Sequence, residues 1–157
     1  MYPLKMKPVF QNYLWGGARF REVYGKDAPE PIAAESWEVS VHANGKSVIA
    51  NGEFAGKPFA EVVGDNFPLL FKLIDARDNL SVQVHPDDEY AEKNENGSLG
   101  KTELWYVLEA EPGSQLIYDL KRGTTKAEFA RAIENGDCES CLNFVDVKKG
   151  DCFFIYG

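Results

Sequence analysis

A chain of 157 residues, 44% hydrophobic and 13% aromatic, can build one domain's core, which excludes wholesale disorder. Its formal net charge of −8 argues against nucleic acid and membrane partners, because phosphate-rich surfaces call for a basic face. No stretch nears the roughly 18 apolar residues of a membrane span, no signal-peptide core opens the chain, and three cysteines suit free thiols in a reducing cytoplasm.

The first thirty residues mix Pro, Gly and aromatics with little periodicity, including Trp15-Gly16-Gly17, and read as a looping arm with one short helical turn. From Ser36 the pattern turns strand-like: Trp37, Val39 and Val41 alternate with Ser36, Glu38, Ser40 and His42. Asn44-Gly45 then signals a tight turn, with residues 46–50 running back as a second strand before Asn51-Gly52. Residues 59–63 suit a short helix, and 67–74 form an apolar run broken only by Lys72, consistent with a buried strand.

Residues 80–85 give the next predicted strand, ended by Pro86, which has no N–H to donate to a ladder. A short helix over 87–95 opens with acidic residues that suit its positive end. Residues 103–109 and 115–120 read as a hairpin around Glu111-Pro112-Gly113. Thr125-Lys126-Ala127-Glu128 matches a capping box, Phe129, Ala130 and Ile133 give the helix that follows an apolar face, and Gly136 ends it. Strands at 142–147 and 152–156, joined through Lys149-Gly150-Asp151, complete the chain. About eight short strands with a few helices predict a mainly β barrel or sandwich such as a jelly roll. The last strand runs into Gly157 without a polar tail, the pattern expected of a domain incomplete at its C-terminal end.

Strand geometry sorts the side chains of Ser81-Val82-Gln83-Val84-His85-Pro86. Alternate residues share a face, so Ser81, Gln83 and His85 point one way and Leu80, Val82 and Val84 the other. The expectation is an apolar side that packs and a polar side that lines a site. Lys101 and Glu103 would share a face by the same rule if the strand begins that early, and Lys72 is the single charge in its strand. Imidazole nitrogen, carboxylate and amide oxygen are ligand types that suit zinc, at about 2.0–2.2 Å for the first two. Lys72 and Lys101 would supply positive charge to an anionic substrate, and the Ser81 hydroxyl could donate to a phosphate oxygen.

Plainer readings compete for each residue. By residue type alone, a hydrogen-bonded structural histidine is commoner than a metal ligand for His85. Lys72 reads equally as an edge-strand lysine with its stem buried and its ammonium in water. Glu103 beside Lys101 fits a solvated pair that contributes little. His42 precedes the Asn-Gly turn and reads as a turn residue. Cys138-Glu139-Ser140-Cys141 has no second pair and follows a helix instead of opening one, so ordinary thiols fit better than a redox or metal motif, and Cys152 reads as core.

Several blocks together carry a resemblance. Leu80-Ser81-Val82-Gln83-Val84-His85-Pro86-Asp87-Asp88-Glu89-Tyr90-Ala91, preceded by Phe67-Pro68-Leu69-Leu70-Phe71-Lys72, resembles the signature of type I mannose-6-phosphate isomerases. Gly100-Lys101-Thr102-Glu103-Leu104-Trp105-Tyr106 resembles that family's second metal-ligand block, and Trp15-Gly16-Gly17 and Glu35-Ser36-Trp37-Glu38 resemble its N-terminal blocks. The resemblance covers the whole chain. It implies a cupin-type jelly roll, with residues 1–157 as the N-terminal catalytic domain and a C-terminal half beyond them. It implies Zn2+ as cofactor, with His85 and Glu103 as ligands and Gln83 as a further ligand or close neighbour. Lys72, Ser81 and Lys101 fall at substrate-pocket positions, with Lys101 a candidate for the catalytic proton transfer.

The activity implied is aldose–ketose isomerisation of a hexose phosphate, through an enediol, between mannose 6-phosphate and fructose 6-phosphate. The family's next block reads Gly-Thr-x-His and brings another zinc ligand, and its catalytic arginine lies further on; both fall past residue 157. The alternative is a non-catalytic cupin module that binds metal or sugar phosphate.

Overall fold

The computed structural model describes residues 2–157, in two compact units that divide at Ser81/Val82. Strands and a few short helices make up both, so the chain is mainly β as expected. Among the described residues, no helix is long and apolar enough to cross a membrane.

In the first unit the arm expected over the first thirty residues forms two short strands, β1 (Met6–Lys7) and β2 (Val9–Gln11), before the helical turn α1 (Arg19–Glu22). Strand β3 (Glu35–Val39) is central: it pairs antiparallel with β2 on one side and with β5 (Phe71–Ile74) on the other. The second strand expected after Asn44-Gly45 is shorter than predicted, β4 (Val48–Ile49), and it pairs with β1 instead of folding back on β3. The turn itself is present, closed by Gly45 N–H donating to the His42 carbonyl at 2.9 Å. Turn chemistry reverses the chain without choosing the neighbour it meets. Helix α2 (Ala60–Val63) falls inside the predicted span, whereas only the second half of the 67–74 run joins the sheet.

The registers explain the faces. Phe10, Ser36 and Leu73 lie abreast on β2, β3 and β5, and Phe10 and Leu73 pack against the buried cluster of Phe20, Ala28 and Ala33. Glu35, Trp37 and Lys72 therefore belong to the opposite face, with Trp37 directly across from Lys72.

Two glycines let the arm close on this sheet. A Cβ on Gly16 would stand 2.6 Å from the Ala34 Cα, and one on Gly17 would run into the Asp75 carboxylate. That carboxylate is buried and accepts the Arg19 backbone N–H at 2.8 Å, so it has nowhere to retreat.

The second unit contains α3 (Asp88–Asn94), β6 (Glu103–Tyr106), β7 (Gln115–Leu120), α4 (Lys126–Glu134), β8 (Leu142–Asp146) and β9 (Cys152–Ile155). The expected β6–β7 hairpin does not form. Instead β7 pairs with β8 and β6 pairs with β9, an inner pair nested within an outer one. Local alternation marks strands but carries no information about partners this distant in the chain.

Residues 80–85, expected as a strand, join no ladder among the described residues, and Val82 and Val84 are 54% and 84% exposed. Alternation there records the order of polar and apolar side chains, while a strand also requires a backbone alongside it.

Helix α4 forms where the sequence places it, with the expected cap. Thr125 accepts from the Glu128 backbone N–H, and Glu128 accepts from the Thr125 backbone N–H, completing the capping box. Phe129 and Ala132 are its half-buried residues, and Ala130 and Ile133, expected on the apolar face, are exposed.

Two substitutions test these contacts. Gly17→Ala should lower stability in denaturant unfolding by about 1–3 kcal/mol, the usual effect of forcing extra atoms into a packed site. Thr125→Ala should destabilise α4 by about 1 kcal/mol, read from the helical circular dichroism signal on heating.

Candidate functional site

Three of the expected site residues converge in the second unit. Glu103 opens β6, and His85 reaches it from the segment before α3, with Nε2 2.9 Å from Glu103 Oε2. Lys101 places its ammonium 2.8 Å from Oε1 of the same carboxylate. The side chains of His85 and Glu103 are only 9% and 14% exposed, and Lys101, at 46%, is the half-open member of the cluster.

The backbone explains the meeting. Lys101 N–H donates to the Pro86 carbonyl at 3.0 Å, and Gly100 N–H donates to Asp88 Oδ1 at 2.8 Å. The approach to β6 is thereby tied to both the residue after His85 and the first residue of α3. Gly100 has no room for a side chain, since a Cβ there would sit 2.6 Å from the Asp88 nitrogen and 2.8 Å from the Pro86 oxygen. Asp87 caps α3 by accepting the Tyr90 N–H at 2.8 Å, which fixes where the helix begins.

Sequence reasoning missed one member of the cluster. Trp105 donates its indole N–H to Glu103 Oε2 at 2.9 Å. The signal was available, because residues two apart on a strand share a face. Burial acts to raise the Glu103 pKa, but hydrogen bonds from Lys101, His85 and Trp105, with the Lys101 charge, outweigh it and hold the group at about 2. Glu103 is thus an acceptor-only carboxylate across the neutral range.

The remaining candidates are placed differently. Gln83 lies two residues before His85 and is exposed. Lys72 and Ser81 belong to the first unit. Ser81 is exposed, and the Lys72 ammonium lies 3.0 Å from Oε1 of buried Glu35, so it is an engaged charge and not a wet edge lysine. His42 is the turn residue it was read as, its Nδ1 accepting the Asn44 N–H at 3.1 Å. Cys138, Cys141 and Cys152 are free thiols, and Cys152 is exposed where the sequence suggested core.

An imidazole nitrogen and an ionised carboxylate, half-buried and 2.9 Å apart, are two donors of the kinds zinc takes, and donors about 2.0–2.2 Å from one shared ion must stand close together. The pair therefore fits zinc as part of a ligand set. No group of three or more His, Cys, Asp and Glu that could hold a metal ion is found among the described residues.

Comparison with solved structures defines the class first. The chain superposes on the mannose 6-phosphate isomerase of Bacillus subtilis with a TM-score of 0.93 at 36% identity, over 99% of this chain and 53% of that one. A mannosephosphate isomerase-like structure from Archaeoglobus fulgidus, at 21% identity and a TM-score of 0.74, shows the same fold. The fold is that of a cupin-type jelly-roll protein.

In sequence, residues 3–113 match the family model for the type I phosphomannose isomerase catalytic domain. Over 98% of its length the chain is 43% identical to the probable mannose-6-phosphate isomerase GmuF and 42% identical to the mannose-6-phosphate isomerase ManA, both of Bacillus subtilis. It spans about half of each, 52% and 51%. The chain belongs to the type I phosphomannose isomerase family.

Gly100→Ala should push α3 away from β6. The measurement is a chemical denaturation curve, with an expected loss of about 1–3 kcal/mol, while a curve that overlays the parent's would refute the close approach.

Proposed function

We propose that this chain carries the zinc-binding wall of a sugar-phosphate isomerase that interconverts mannose 6-phosphate and fructose 6-phosphate, moving a proton between C1 and C2 through an enediol. The observation that carries this reading is the half-buried cluster of His85, Glu103 and Lys101 in a chain of this family. The relatives' names supply the substrate.

His85 and Glu103, with Gln83 as a further donor, would hold Zn2+. Bound there, the ion supplies Lewis-acid stabilisation of the negative charge that develops on a substrate oxygen. Glu103 contributes a carboxylate whose orientation is already set. Lys101, beside it and half open to solvent, is assigned both contact with the substrate and the proton transfer. Lys72 and Ser81 are assigned to the anionic end of the substrate, as charge and hydroxyl donor. The remaining groups of the site belong to the half of the family's length that this chain does not match. The free thiols support a cytoplasmic setting.

That shared length also favours a second reading, a cupin module that binds metal or sugar phosphate without turnover. Zinc content and fructose 6-phosphate turnover, measured on purified protein with and without added zinc, separate the two. Stoichiometric zinc with turnover, both abolished by His85→Ala and by Glu103→Ala in variants of unchanged fold, would establish the isomerase reading. Zinc without turnover would point to the module, and no zinc at all would refute zinc binding by this chain.

A further inference from the structure

Two strands of this chain carry the same three-residue arrangement. On β3, Trp37 donates its indole N–H to Glu35 Oε2 at 2.6 Å, and the Lys72 ammonium meets Oε1 at 3.0 Å. On β6, Trp105 donates to Glu103 Oε2 at 2.9 Å, and the Lys101 ammonium meets Oε1 at 2.8 Å. In each case the two-residue period of a strand sets the indole beside the carboxylate that precedes it. Each carboxylate is gripped on one oxygen by a tryptophan and on the other by a lysine. The β6 clamp differs in having His85 Nε2 as well, 2.9 Å from the oxygen that Trp105 holds.

We propose that Trp105 is a positioning residue, whose N–H presets Glu103 with Oε2 turned to His85 for a divalent cation the two hold together. This rests on the zinc reading above. The chemistry of indole suits the task. It is a donor only, so it can orient a carboxylate without competing for the cation or changing the charge of the site. A free glutamate side chain loses rotamer freedom when fixed, and a partner that fixes it in advance spares the cation that cost. Lys101 cannot do the same alone, since its ammonium sits on a flexible stem that is 46% exposed. Trp105 is half-buried and lies opposite Phe153 in the register of the β6–β9 ladder.

The test is the zinc affinity of the purified chain, read by competition with a chromophoric chelator. Trp105→Phe removes the donor and shrinks the ring. A second variant replaces Trp105 by benzothienylalanine, which keeps the ring's shape and puts sulfur where the N–H was, so folding is not at issue. Trp37→Phe makes the same chemical change in the clamp that lacks the histidine. Loss of an outer partner of a metal ligand typically weakens binding about 10- to 100-fold, and that loss is expected in both Trp105 variants with melting temperature little changed. Trp37→Phe should leave zinc affinity where it was. Parent-like zinc binding by the benzothienyl variant would overturn the proposal and leave the zinc reading standing, as would an equal loss on changing Trp37. Failure of the parent chain itself to take up zinc would overturn the zinc reading and this proposal with it.

Discussion

Taking a carboxylate out of water is unfavourable unless both of its oxygens find donors, and the second unit is organised around meeting that demand at Glu103. Lys101 meets one oxygen, and His85 and Trp105 meet the other. Each partner constrains a different part of the chain: Lys101 the approach to β6, Trp105 the strand itself, His85 the segment that leads into α3. The demand is local, yet answering it joins residues eighteen apart in sequence. Removing the carboxylate would leave those donors facing one another with no common acceptor.

Close backbone approach is the second constraint, and it appears in both units. Gly17 lies against the Asp75 carboxylate, and Gly100 against the start of α3. Neither glycine is there for an unusual backbone conformation; both are there because a Cβ would occupy space already filled. Such positions look unremarkable in a sequence, since glycine also marks ordinary turns. Here each sits in a block that carries the family resemblance, Trp15-Gly16-Gly17 and Gly100-Lys101-Thr102-Glu103. Packing explains part of why those blocks read as they do.

Much of this was legible in the chain. The Thr125–Glu128 cap fixed α4 because its signal is contained within four residues. The spacing of Glu103 and Trp105 declared a shared strand face, although only Lys101 and Glu103 were recognised as partners. Strand pairing was not legible: β4 with β1, and the nesting of β7–β8 within β6–β9, depend on distant segments that alternation cannot connect. The segment from Leu80 to His85 shows the same gap, since its pattern promised a packed apolar side and Val82 and Val84 lie exposed. The pairing of His85 with Glu103 needed the family resemblance, because a lone histidine beside a proline has too many ordinary explanations.

The outer face of the β6–β9 pair has a consequence for the protein in solution. Leu104 and Tyr106 on β6, Phe154 on β9 and Tyr156 just past it are 62%, 59%, 43% and 73% exposed, a run of apolar surface on one side of a two-stranded ladder. The net charge of −8 repels one copy from another, while this face attracts. The two influences respond differently to ionic strength: salt screens the repulsion within a Debye length of about 10 Å at 0.1 M and leaves the apolar attraction intact. Colloidal behaviour is therefore governed by the buffer as much as by the fold, with dilute, low-salt solution the condition that keeps single molecules apart.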